Sequence, residues 1–165
     1  MLIISLCVAL ALAVAGCGGS DDDSSSTQAA SEATTTEQSG GDTNLNVKPK
    51  VTVPDGPAPK KLEVVDIVEG DGAEAKAGDD VTVQYVGVGY DSKEEFDSSW
   101  SRNEPATFGL DEVIAGWGQG IPGMKVGGRR ELTIPANLAY GPAGSPPSIG
   151  PNETLIFVVD LLAVK

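Results

Sequence analysis

Apolar and polar positions along this chain follow two periods, and the switch between them marks its elements. Leu62-Glu63-Val64-Val65-Asp66-Ile67-Val68 predicts a strand, turned by Glu69-Gly70-Asp71-Gly72. Ala77-Gly78-Asp79-Asp80 marks a second turn. Val81 to Val88 then alternates, with Val81, Val83, Tyr85 and Gly87 falling on one side of a strand. Glu94 to Ser99 predicts a short edge segment that breaks into a polar loop, and Pro105 to Gly109 brings the chain back. A turn on Gly127-Gly128 leads into a strand ending at Ile134. Asn137 to Asn152 is a long loop rich in Pro and Gly around Tyr140 and Ile149. Thr154 to Val164 is the most hydrophobic strand and is expected at the centre of the sheet.

Between these strands the period changes to that of a helix. In Glu112 to Gly123, Val113, Ile114, Trp117 and Ile121 recur at spacings of three and four, which predicts a short helix ended by Gly120 and Pro122. Gly116, Gly118 and Gly120 each cost roughly 1 kcal/mol against Ala inside a helix, so packing has to stabilise it. An antiparallel sheet needs one face covered, and this helix is the available cover. The predicted fold class is therefore α+β, a twisted antiparallel sheet curled around one short helix. Trp117 either fills core volume or floors a hollow between helix, sheet and long loop.

The N-terminal third reads differently. Residues 2–15 are an apolar run whose only polar member is Ser5. The run is shorter than the about twenty residues of a membrane span but suits a signal peptide. It ends in Val14-Ala15-Gly16-Cys17, which resembles the lipobox of bacterial lipoproteins, although no Lys or Arg precedes the run. That resemblance implies a signal peptide over residues 1–16 and lipidation of Cys17, which would anchor an exported protein to the cell membrane. A disulfide between Cys7 and Cys17 is discounted, because cleavage would remove Cys7. Residues 18–44 hold too little apolar surface to offset their ordering entropy and predict a disordered acidic tether. Pro49, Pro54, Pro57 and Pro59 stiffen its continuation to residue 60. The folded domain is expected over residues 61–165, with its motifs within 78–165.

Charge and composition mainly exclude. A formal net charge of -13 argues against nucleic acid, whose phosphates need a basic face. The chain has no histidine, which rules out Ser-His-Asp and Cys-His nucleophile systems and His-ligated zinc. No metal and no cofactor is expected. Gly116-x-Gly118-x-Gly120 is no phosphate loop, since no Lys-Ser/Thr follows it. The eight aromatic residues all lie between Tyr85 and Phe157: Tyr85, Tyr90, Phe96, Trp100, Phe108, Trp117, Tyr140 and Phe157. With Val113, Ile114 and Ile149 they can line a small hollow as well as a core. Asp97 and Arg102 are the polar groups nearest to them in sequence. Taken alone, Asp97 reads as an Asx-turn residue and Arg102 as a solvated charge.

Six motifs in order change those two readings. Val83-Gln84-Tyr85-Val86-Gly87, Phe96-Asp97-Ser98-Ser99, Glu112 to Trp117, Gly123 to Gly128, Leu138-Ala139-Tyr140-Gly141 and Leu155 to Leu162 resemble the successive signatures of FKBP-type peptidyl-prolyl isomerases. The resemblance runs over about residues 60–165. It implies a half-barrel sheet around the helix and an apolar pocket that twists X–Pro bonds. Trp117 would be the floor, with Tyr85, Phe96, Val113, Ile114, Ile149 and Phe157 as walls. Tyr140 and the Ile114 amide would donate to ligand carbonyls, the Glu112 carbonyl would accept, and Asp97 would be held by Arg102 and Tyr85. The partners implied are proline-containing polypeptides of exported proteins and macrolide inhibitors. The chain departs from the family at Ala106, Ser145 and Ser148 and is one residue shorter between Phe108 and Glu112. The thinner wall at Ala106 motivates an alternative of another class, a surface binding module or chaperone with little or no turnover.

Overall fold

In the computed structural model, which describes residues 43–165, the alternation of Val81 to Val88 becomes the longest-reaching strand of one sheet. The strands are β1 (Glu63–Val68), β2 (Asp80–Gly89), β3 (Glu95–Ser98), β4 (Ala106–Gly109), β5 (Arg129–Ile134) and β6 (Leu155–Val164). They run in the order β1-β5-β6-β2-β3, all neighbours antiparallel. β3 and β4 divide β2 between them: β3 pairs with Val86 to Val88 and β4 with Asp80 to Val83. Register shifts at Thr82/Val83 and Gly87/Val88 bend β2, and the sheet curls where its partner changes. β6, the most hydrophobic segment, lies between β5 and β2 as expected.

The one α-helix among the described residues, α1, spans only Ala115–Gly120. This shortens the helix expected over Glu112 to Gly123. Val113 and Ile114 precede it on non-helical backbone, with Ile114 at the N-cap (φ -57°, ψ 147°) and no capping side chain. Glycine-rich sequence gives the first turn little intrinsic stability, so the helix persists only where the sheet supports it. That support is close. A Cβ on Gly116 would collide with Ile134, and one on Gly120 would meet Leu132 at 2.7 Å. The glycines let α1 settle onto β5. The core between them joins Val81, Val83, Leu132, Ile134, Leu155, Val159 and Leu161, all 0% exposed.

The outer side of the sheet is covered too, by a stretch the sequence assigned to the stiff end of the tether. Val47 accepts a hydrogen bond from Arg129 Nη2 at 3.0 Å, and Lys48 pairs with Glu95 at 2.8 Å. Pro49 to Val53 border a hollow together with Val86 and Val88, which are buried on this outer side. Ile156 and Val158, opposite Val88 and Val86 in the register, are likewise buried. Beside them Arg129 and Asp160, directly paired across β5 and β6, form a bidentate ion pair (2.5 and 2.7 Å) at 0% and 1% exposure. Ordered packing thus begins upstream of Lys61. The expected signal peptide, Cys17 and the expected tether up to residue 42 lie outside the described residues.

Candidate functional site

On its inner side the sheet carries rings. Tyr85 and Phe157 sit on β2 and β6, and Phe108 comes from β4. Phe96 comes from β3 and packs over Gly87, where any Cβ would strike its ring and that of Phe157. Trp117, 4% exposed on α1, stands edge-on to three of these rings. Its centroid lies 5.5 Å from Tyr85, 5.5 Å from Phe108 and 5.3 Å from Phe157, with interplanar angles of 84–88°. Phe96 meets Phe157 edge-on at 5.5 Å. Such edge-to-face pairs contribute about 0.5–1.5 kcal/mol each beyond their buried area, so the cage holds its shape without a ligand. Trp117 Nε1 is buried without a hydrogen-bond partner among the described residues.

These rings enclose an open hollow of about 340 Å³, lined by Tyr85, Phe96, Asp97, Phe108, Glu112, Val113, Ile114, Trp117, Tyr140 and Phe157. Set beside the residues expected from the sequence, it differs in three: Ile149 and Arg102 do not line it, and Phe108 does. Ile149, expected as a wall, is 4% exposed in the core cluster and does not line the hollow. Paired backbone hydrogen bonds of 3.0 Å between Ser145 and Ile149 close the long loop and turn that side chain inward. Phe108, which the sequence reading counted among the aromatics but gave no role, is a wall. Its neighbour two residues back, Ala106, packs on the core instead. Scarcity of rings was the signal that could have promoted Phe108.

One edge of the hollow is polar and tightly wired. The Tyr85 hydroxyl donates to Asp97 Oδ2 (2.5 Å). Arg102 donates to Asp97 Oδ1 (2.5 Å) and to the Tyr85 hydroxyl (2.9 Å), with its guanidinium 5.8 Å from the Tyr85 ring centroid. The Ser98 amide adds a further bond to Asp97 (2.8 Å). Burial alone would raise the Asp97 carboxyl, but the hydrogen bonds from Tyr85 and Arg102 outweigh it and hold the group below its ordinary value. Burial, and then the bond to Asp97, pushes the Tyr85 hydroxyl up, which keeps it a donor. The loop that brings Arg102 here is tied by buried Ser99, whose hydroxyl accepts from the Tyr85 amide (2.8 Å) and donates to Gln84. Arg102 itself does not line the hollow; it fixes Asp97, which does.

The opposite edge offers unsatisfied groups. The Ile114 carbonyl accepts from Trp117 and Gly118, while among the described residues the Ile114 amide makes no backbone hydrogen bond. Tyr140, between the 3-10 turns Ala136–Leu138 and Gly141–Ala143, is 42% exposed at the rim. Among the described residues no group of three or more His, Cys, Asp or Glu could hold a metal. The site is an apolar cage with one fixed carboxylate and donors at its lip.

Known proteins resemble this chain in sequence and fold. The family profile described as FKBP-type peptidyl-prolyl cis-trans isomerase matches residues 72–162. A probable FK506-binding protein of Corynebacterium glutamicum is 53% identical over 116 residues, which is 70% of this chain and 98% of that protein. An FK506-binding protein of Streptomyces anulatus is 57% identical over 120 residues, covering 71% of this chain and 97% of that protein. Residues 61–165 number 105, so both matches extend upstream of Lys61 into the segment packed on the outer side. The crystal structure of FkpA from Escherichia coli superposes with a TM-score of 0.61 at 40% identity, covering 78% of this chain and 53% of that one.

Proposed function

Because this chain belongs to the family of FKBP-type peptidyl-prolyl cis-trans isomerases and is an enzyme of that kind, we propose that it works on exported polypeptides at the outer side of a bacterial cell membrane, held there through lipidated Cys17. The observation that carries the reading of the site is the ring cage floored by Trp117, with a polar edge but no nucleophile or proton shuttle.

An X–Pro bond turns slowly because rotation breaks amide resonance, with a barrier on the order of 20 kcal/mol. In the twisted state the amide loses its charge separation and is less polar than in either planar form. A ring-lined hollow that excludes water therefore favours the twisted form relative to the planar ones. Each 1.36 kcal/mol gained in this way is tenfold in rate. The prolyl ring packs on Trp117 between Tyr85, Phe96, Phe108 and Phe157. The Ile114 amide and the Tyr140 hydroxyl hold carbonyls on either side of the turning bond, and the Glu112 carbonyl accepts from the peptide. Asp97 keeps its edge fixed and charged through Tyr85 and Arg102. No step needs a metal or a cofactor. The same cage suits FK506-type macrolides, which relatives are named for binding.

Support for export and anchoring is the apolar run closing on Val14-Ala15-Gly16-Cys17. Two experiments test the proposal. Cis-to-trans conversion of a proline peptide by the purified chain should exceed the uncatalysed rate and fall at least about tenfold in Trp117→Ala. A folded wild type with only the uncatalysed rate refutes it. Lipid labelling of cells should mark the wild type and spare Cys17→Ser; equal labelling of both refutes the anchor.

A further inference from the structure

The helix that carries the pocket floor is six residues long, has three glycines, and has neither a capping side chain nor a basic residue in its last turn. Helix ends leave carbonyls unpaired and carry partial negative charge, so something else must hold this one. The inner side of β5 supplies it. Arg130, Leu132 and Ile134 alternate along that strand and meet α1 in sequence: Ile134 against Gly116, Leu132 against Gly120, and Arg130 at the helix end. The Arg130 guanidinium is nearly buried. Nη1 donates to the Gly120 carbonyl at 2.8 Å and to the Pro122 carbonyl at 3.4 Å. Its other edge is clasped by Asp66, directly opposite on β1, through bonds of 2.6 and 3.0 Å.

Packing of Gly120 and Ile121 holds this end of the helix against β5 but leaves it open on one side. A hollow of about 200 Å³ lies beside the clasp, bordered by Asp66, Gly123, Met124 and Arg130. Two close contacts set the distance of α1 from β5, whereas the polar bonds from Arg130 set its position along the strand. Trp117 donates to Ile114 at one end of α1, and its carbonyl accepts from Ile121 at the other. A shift of the Gly120 end therefore moves the indole and the Ile114 amide together.

We propose that Arg130, oriented by Asp66, is a positioning residue for the isomerase pocket, fixing the floor and the Ile114 donor by gripping the C-terminal end of α1. This rests on the reading of the hollow as the isomerase site. Arg130 touches no substrate. Its effect is geometric, and misplacement of catalytic groups by a distant substitution can cost up to about a hundredfold in rate.

The test uses the full-length chain carrying Trp100→Phe, so that Trp117 is the only tryptophan. Three changes are compared well below their melting temperatures: Arg130→Gln, Arg130→Lys, and Asp160→Asn as a destabilising lesion on the other side of the sheet. Arg130→Gln should lower kcat/KM for a proline peptide about tenfold, mostly in kcat, and should shift Trp117 emission and raise its quenching. Arg130→Lys should recover part of both, since an ammonium reaches one carbonyl but cannot bridge to Asp66 in two bonds. Asp160→Asn should lower the melting temperature and move neither readout. If Arg130→Gln does not fold, Asp66→Asn takes its place, with the same changes at smaller size. Unchanged kcat/KM and emission in the folded variant overturn the proposal, as do changes equalled by Asp160→Asn. If the parent chain shows no isomerase activity, it is the reading of the site that fails, and Trp117 emission alone decides the role of Arg130.

Discussion

The two sides of one sheet in this protein are built on opposite principles. The inner side of β2, β6 and β5 leaves part of its apolar surface open: rings stand edge-on around a hollow, and among the described residues the Trp117 indole N–H has no partner. The outer side is covered, with a hollow left between the cover and Val86 and Val88. Ile156 and Val158 are 0% and 1% exposed there, Arg129 and Asp160 are paired, and Arg129 also donates to Val47 at the start of the covering segment. The difference separates work from support. A hollow that must admit a prolyl peptide cannot fill its own volume, and the opposite side supplies packing that the hollow forgoes.

Removing the cover should have the largest effect. A chain beginning at Lys61 uncovers Val86 and Val88, which border the covering segment, and breaks the bond from Arg129 to Val47. At about 1.5–3 kcal/mol for each fully buried side chain, the loss is on the order of 3–6 kcal/mol if both become exposed. Thermal or urea unfolding should show a domain at the margin of stability. A melting point equal to that of a chain beginning at residue 43 would make the outer cover ornamental. Next comes the ion pair. Asp160→Asn removes the buried bidentate carboxylate from Arg129 and should cost about 3–5 kcal/mol in urea unfolding, with isomerase activity per folded molecule retained. Loss of activity in the folded variant would mean that the two sides are not separable.

On the inner side a smaller change in stability should carry a larger change in function. Gly116→Ala pushes a methyl group into Ile134 and should cost about 1–3 kcal/mol while lifting Trp117 away from the cage. Activity should fall more than stability does; a purely thermal defect would contradict the close fit of α1 on β5. The smallest effect concerns pH. Because the Asp97 carboxyl lies below its ordinary value, its contribution is complete above the usual carboxylate range and is lost only as pH falls through the lowered value. Activity should therefore hold from neutrality down to about pH 4. Tyr85→Phe removes one donor and should move the acid limb to higher pH. A limb at the same pH in both would show that Tyr85 does not set the charge of Asp97.

The inner side was largely legible in the sequence because its residues carry strong periods and rare side chains. Alternation on Val81, Val83 and Tyr85 located the face, and the scarce rings located the hollow. Where legibility failed, backbone geometry had overridden the side-chain pattern. Val113 and Ile114 fit a helical spacing yet lie ahead of α1, Val113 in a bend and Ile114 on extended backbone. The Ser145–Ile149 bridge turned an expected wall into core. The outer side was harder to read. Pro49, Lys50 and Thr52 look like linker by composition, and only the hollow they border with Val86 and Val88, and the bond from Arg129 to Val47, distinguish cover from tether. The hydrophobicity of β6 on both sides, interrupted only by Asp160, carried the clue: a strand apolar on both sides needs covering on both.

The central claim is that the ring-lined inner side, not the covered outer one, turns X–Pro bonds. The most direct test measures the cis-to-trans rate of a proline peptide with Trp117→Ala and Asp160→Asn, each compared with wild type per mole of folded protein. The account predicts a rate near the uncatalysed one for Trp117→Ala and a rate near wild type for Asp160→Asn. Equal rates in the two variants, whether both high or both low, would contradict it.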